Sequence, residues 1–111
     1  MSLDLFMTHP PCPTCNHEPE RLEFNSTYNV SPMWYAVYPD AENMVDIDGM
    51  TGREALPKIT HAIVYISTHR KELEPMNPKN GWGSYSGFLE FLFKINDACE
   101  QNPDLVWSSW R

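Results

Sequence analysis

The sequence predicts a small α+β fold, with a small antiparallel sheet whose strands lie near residues 3–8, 21–24 and 105–110, packed by helices near 31–38, 52–72 and 85–101. Three observations predict it. The two terminal stretches alternate, Leu3, Leu5 and Met7 against Asp4 and Phe6, and again through residues 105–110, at the two-residue period of a half-buried strand. Two internal stretches repeat apolar residues at helical spacing. Most of the ten prolines fall between these periodic segments, as rigid loops do.

Residues 9–19 hold four prolines and the pair Cys12 and Cys15, so a tight loop follows the first strand, and 21–24 form a short second one. Ser31-Pro32 opens a helix, because serine caps and proline fits the first turn, where its missing N–H costs nothing. That helix carries Met33, Trp34, Val37 and Tyr38 and stops at Pro39. An acidic loop spans 40–50. Thr51-Gly52-Arg53-Glu54 reads as a capping box, in which hydroxyl and carboxylate each satisfy a free N–H. The next helix places Leu56, Ile59, Ile63 and Ile66 on one face, with Pro57 expected to bend it near its start. A turn-rich connection over 74–83 leads to the last helix, with Phe88, Leu92, Ile95 and Cys99 as its buried stripe and Asn102-Pro103 as its stop. Alternation over 105–110 puts Trp107 and Trp110 on opposite faces, so one of them is an interface candidate.

At 111 residues the chain is the size of one domain over 1–111. Fifteen acids against eight Lys and Arg give a net charge of −7. Phosphate-backbone binding rests on clustered cations, so this balance excludes bulk nucleic acid and anionic membranes as expected partners. Acidity suits a basic partner, or simply solubility. Residues 1–6 have no basic n-region and no long apolar stretch, so neither a signal peptide nor a membrane span is expected, and the expected location is the cytoplasm of a host cell. Three cysteines in such a setting suggest thiols or metal ligands before disulfides.

Three stretches can carry chemistry. Cys12-Pro13-Thr14-Cys15-Asn16-His17 offers two thiolates at knuckle spacing for zinc, with His17 as a further candidate ligand. It is half a motif, since no second such pair exists, and the alternative is two ordinary thiols in a stiff loop. Residues 77–87, Asn-Pro-Lys-Asn-Gly-Trp-Gly-Ser-Tyr-Ser-Gly, put Asn80, Trp82, Ser84 and Tyr85 around a helix start. Free N–H groups there suit an anion, and the aromatic faces suit a ring. The alternative is a structural cap with Trp82 in the core. The run Asn25-Ser26-Thr27-Tyr28-Asn29 precedes a helix, and Asn25, Thr27, Tyr28 and Asn29 can read the polar edge of a small ligand or merely serve as turn residues. Asp46-Ile47-Asp48-Gly49 fails as a calcium loop, because Met44 and Ala55 would occupy the first and last ligand positions. No catalytic constellation is evident, so an enzyme is the least favoured class.

On Cys12-Pro13-Thr14-Cys15, Asn25-Ser26-Thr27-Tyr28-Asn29 with Pro32-Met33-Trp34, Asp48-Gly49-Met50-Thr51, the 77–85 run, and Ala98-Cys99-Glu100 with Asn102-Pro103-Asp104, the chain resembles a family of short phage and bacterial proteins usually called hypothetical. The resemblance covers nearly the whole chain, and Asn80-Gly81-Trp82-Gly83 is its most specific part. Tyr28 departs from a position where that family often carries histidine. The resemblance implies a small accessory protein of a phage or prophage. In that setting the 77–87 helix start with its aromatics and the polar 25–29 run lead to the expected function, binding of a small anionic or nucleotide-like ligand, as in counter-defence sequestration; the alternative is inhibition or adaptation of a host protein through an acidic surface. A homodimer through the edge of the 105–110 strand fits either.

Overall fold

Leu3, Leu5 and Met7 are fully buried and share one face of their strand, and this two-residue period organises the rest of the chain around it. The structure, a computed structural model, describes residues 2–8, 21–76 and 83–110. Strands β1 (Ser2–Thr8), β2 (Arg21–Thr27) and β3 (Val106–Trp110) form an antiparallel sheet in the order β2-β1-β3. The central strand pairs Leu5 with Phe24 on one side and Met7 with Trp107 on the other. Phe24 and Trp107 therefore share the inner face with β1's leucines, and their rings meet at 5.6 Å.

Among the described residues four α-helices join the sheet in an α+β fold: α1 (Ser31–Val37), α2 (Gly52–Thr68), the single turn α3 (Arg70–Leu73) and α4 (Tyr85–Gln101). On α2 the predicted Ile59, Ile63 and Ile66 are buried and Leu56 is half-buried, and on α4 Phe88, Leu92, Ile95 and Cys99 are all buried. The two helices face each other along their length, and the Thr60 hydroxyl donates to Asn96 Oδ1 at 2.8 Å across the seam. The capping box is present: Thr51 Oγ1 accepts from Glu54 N–H, and Glu54 Oε1 accepts from Thr51 N–H. Ser84 caps α4 by accepting from Gly87 N–H at 3.0 Å.

Several boundaries differ from expectation. β2 runs on to Thr27, because register with β1 holds through the pairs Asp4–Asn25 and Ser2–Thr27 and overrides the weak strand propensity of short polar residues. The predicted 52–72 helix is interrupted at His69, whose φ of −115° separates α2 from α3. Ser31 lies inside α1 and Val30 sits at the cap position, so that helix begins without a side-chain cap. The largest difference is in residues 40–50. They are acidic in composition, yet Met44, Val45 and Ile47 are fully buried, and the segment closes the core between α1 and α2. Val45 holds a φ of 51°, a left-handed backbone that a β-branched residue adopts only under constraint from its surroundings.

The two edges of the sheet are unlike. Beside β3, Gly49 N–H donates to Trp107 O and Trp107 N–H to Met50 O, both at 2.8 Å, and Thr51 bridges to Val106. The edge considered for a homodimer is thus covered along its first half. Trp107 is core, while Trp110 is 73% exposed and stands opposite Asp4. Among the described residues, β2 has a strand neighbour on one side only. No helix among them is long and apolar enough to cross a membrane.

Candidate functional site

β2, which has a strand neighbour on one side only among the described residues, borders a cleft with α4. Helical spacing brings Gly87, Glu90, Phe91 and Lys94 to one side of α4, and with Glu23, Phe24 and Asn25 of β2 they line a cleft of about 230 Å³. Half-buried Phe24 and the largely buried Phe91 give it some apolar surface, and the larger share of its lining is polar. Glu23, Glu90 and Lys94 are its charged residues: Lys94 lies 3.9 Å from Glu90, and strand alternation turns the Glu23 side chain to the outer face of the sheet.

This cleft brings together two of the sequence-derived stretches. Asn25 lines it from the strand, and the first turn of α4, capped by Ser84, lines it through Gly87. The remaining candidates divide. Asn25 donates its amide to Asp4 across the sheet, and Thr27 Oγ1 accepts from Asn29 N–H at 3.2 Å, so both side chains serve local structure first. Tyr28 sits in a 3-10 turn, Tyr28–Val30, that joins β2 to α1. Tyr85 is 5% exposed and donates its hydroxyl to Ile66 O at 2.6 Å, with the Arg70 guanidinium over its ring at 5.7 Å. It ties α4 to the end of α2, and with Arg70, Ser86, Leu89 and Phe93 it lines a shallow opening beside the helix start. Asn80 and Trp82 lie outside the described residues, as do Cys12, Cys15 and His17. Among the described residues no three His, Cys, Asp or Glu side chains gather as a metal-ligand set.

A second cluster escaped the sequence reading. Lys58 Nζ lies 3.0 Å from Asp46 Oδ1 and donates to Asp46 O at 3.3 Å, while Trp34 Nε1–H donates to the same carboxylate at 3.3 Å. The Tyr38 hydroxyl donates to Lys58 O at 2.8 Å, and the ammonium stands 5.3 Å from the Tyr38 ring. An open cleft of about 280 Å³ adjoins this group, with Asp40 and Asp46 at its edge. Every strong donor of the cluster meets an acceptor inside it, so its chemistry is that of a clasp between the 40–50 segment and α2. The signal was a twelve-residue separation, which no local pattern marks.

Two acids here resist ionisation. Burial pushes the Tyr38 phenol up, and the Asp46 carboxylate adds to it. Burial also pushes the Cys99 thiol up; contact with Trp107 opposes this and Glu100 adds to it. The Trp107 indole N–H has no hydrogen-bond partner among the described residues, so the neighbouring sulfur offers it only a weak contact. Both groups hold their proton more tightly folded than unfolded. Their contribution is complete below the ordinary thiol and phenol ranges and is lost as pH rises through those ranges toward the raised values. Stability measured by urea unfolding is therefore expected to fall above about pH 9. The fall should shrink in Cys99→Ala and Tyr38→Phe variants; an unchanged slope in both would refute the assignment.

Comparison with protein-family models, with curated proteins and with solved structures found no match to this chain.

Proposed function

We propose that this chain is a small accessory protein, of the phage or prophage kind its motifs resemble, that binds a protein partner through the acidic cleft between β2 and α4. One observation carries the reading: a regular strand, unpaired on one side among the described residues, borders a cleft whose lining includes Phe24 and Phe91 and two acidic residues, Glu23 and Glu90. Such an edge is a template for another chain. Glu23 and Glu90 supply the acidic charge in this reading, in place of the 40–48 loop that the sequence suggests, and complementary charge speeds encounter and rejects like-charged competitors.

The small-ligand reading stands second, on the convergence of Asn25 and the α4 start at this cleft. The volume of about 230 Å³ lies below the usual range for drug-sized ligand sites, roughly 300–1,000 Å³. Two carboxylates against one paired ammonium also oppose a phosphate there.

Panning a random peptide display library against the folded chain tests the proposal. Enriched peptides should carry net positive charge and should lose affinity for a Gly87→Leu variant, whose side chain fills the cleft mouth. Peptides that bind wild type and Gly87→Leu equally would overturn the docking surface. A heat-stability shift with nucleotides and no peptide enrichment would favour the second reading.

A further inference from the structure

We infer that β2 takes up an extended, basic segment of the partner as a fourth strand of the sheet. This rests on the docking surface proposed above and adds the mode of binding and the chemistry of the segment. Edge strands are normally blunted by lysine, proline, a bulge or a covering segment. β3 has such a cover in Gly49 to Thr51. β2 carries no lysine and no proline, its one basic residue, Arg21, stands at the strand's first position, and it keeps unbroken register with β1 over seven pairs. That presents about 23 Å of strand with one side unpaired among the described residues.

The wall opposite is shaped for a close approach. Gly87 is not needed by its own backbone, for the positive-φ glycines are Gly49 and Gly83. A Cβ at Gly87 would meet only the Ser84 hydroxyl, at 3.1 Å, unlike one at Gly52, which would strike backbone. A glycine within a helix costs about 1 kcal/mol relative to alanine, and here it keeps the cleft mouth low beside β2. In a paired strand, residues opposite Leu22 and Phe24 point to the inner face, where Phe91 supplies more apolar surface. Residues opposite Glu23 and Asn25 point to the outer face, beside the Glu23 carboxylate. The segment therefore alternates apolar and basic side chains, and long basic side chains also reach Glu90 at the rim. Charge argues against a second copy of the chain, which would bring another −7 to the same edge.

The test uses four synthetic peptides with the full chain: an alternating Lys-Val hexapeptide, its two N-methylated counterparts, one in each alternate frame, and an alternating Glu-Val hexapeptide. Amide NMR signals are followed with hydrogen exchange. The Lys-Val peptide should shift residues 22–25 and 87–94 and slow exchange at alternate β2 amides. One N-methylated frame should bind at least about tenfold more weakly, since it cannot make the ladder. A Glu23→Lys variant, exposed and harmless to the fold, should lose the Lys-Val peptide and gain the Glu-Val one. Equal binding by both N-methylated frames, with loss in Gly87→Leu, would overturn strand addition and leave the docking surface standing. Binding that maps elsewhere and ignores Gly87→Leu would overturn both. No binding of the Lys-Val peptide, or alternate β2 amides already slow in a dimer seen by sedimentation, would overturn the inference.

Discussion

Replacing Gly52 with alanine is expected to destabilise the protein by about 2–4 kcal/mol, with a fall in melting temperature on the order of 10 °C or more. Gly52 opens α2 where that helix docks on the C-terminal end of α4. Its N–H donates to Leu105 O at 2.9 Å, and the next N–H, of Arg53, donates to Pro103 O at 3.0 Å. A Cβ at Gly52 would lie 2.4 Å from Asn102 O and 3.1 Å from Cys99 O, both backbone atoms, and 3.0 Å from Met7 Cε. The methionine can swing aside; two carbonyls fixed by helix and turn cannot. Helix propensity favours alanine by about 1 kcal/mol, so the two effects oppose, and the overlap wins because relieving it separates α2 from α4 and breaks both bonds to the 103–105 turn. Urea unfolding of the variant measures the difference. An alanine variant as stable as the parent would mean that the 102–105 turn yields freely and that the glycine has no packing role.

Where one element carries its own periodic signal, the sequence was legible. Phe88, Leu92, Ile95 and Cys99 are spaced for one helical face and are buried on it, and the Thr51–Glu54 box closes as its residue types predict. Trp107 and Trp110 part to core and solvent, as alternation requires. What stayed hidden depends on distant partners. Residues 40–50 read only as an acidic loop because acids surround Met44, Val45 and Ile47, and irregular backbone has no period to reveal which side chains turn inward. Asn25 to Thr27 looked like turn residues until β1 supplied the ladder that makes them strand. Tyr85 looked like a ring at an open helix end, and only the fold shows its hydroxyl on Ile66 O. The cleft itself was half visible: Asn25 and the α4 start were both singled out, but their meeting is a property of the tertiary arrangement.

Removing the Asp46 carboxylate is the second large effect, and it tests whether the clasp acts as a unit. Asp46→Ala is expected to cost about 2–4 kcal/mol. It leaves the Lys58 ammonium, whose side chain is only 23% exposed, without its counter-charge, and the Nε1–H of fully buried Trp34 without its acceptor. Lys58→Met should cost less, since Asp46 then keeps the indole and the methionine retains the apolar stem. The double variant should fall short of the sum by about 1–2 kcal/mol, because most of the single-variant loss is the stranded ammonium and not the net strength of the pair. The backbone points the same way. Val45, immediately before Asp46, holds a left-handed φ of 51°, a conformation that costs roughly 1–3 kcal/mol and persists only where its surroundings impose it. The same conformation keeps Val45 in the core and turns Asp46 toward Lys58 and Trp34. Asp46→Ala removes part of what imposes it, so the 40–50 segment should gain amide exchange ahead of the sheet. Strict additivity in the cycle, together with unchanged exchange in that segment, would show that Asp46 and Lys58 contribute separately and that packing of Met44, Val45 and Ile47 alone holds the segment down.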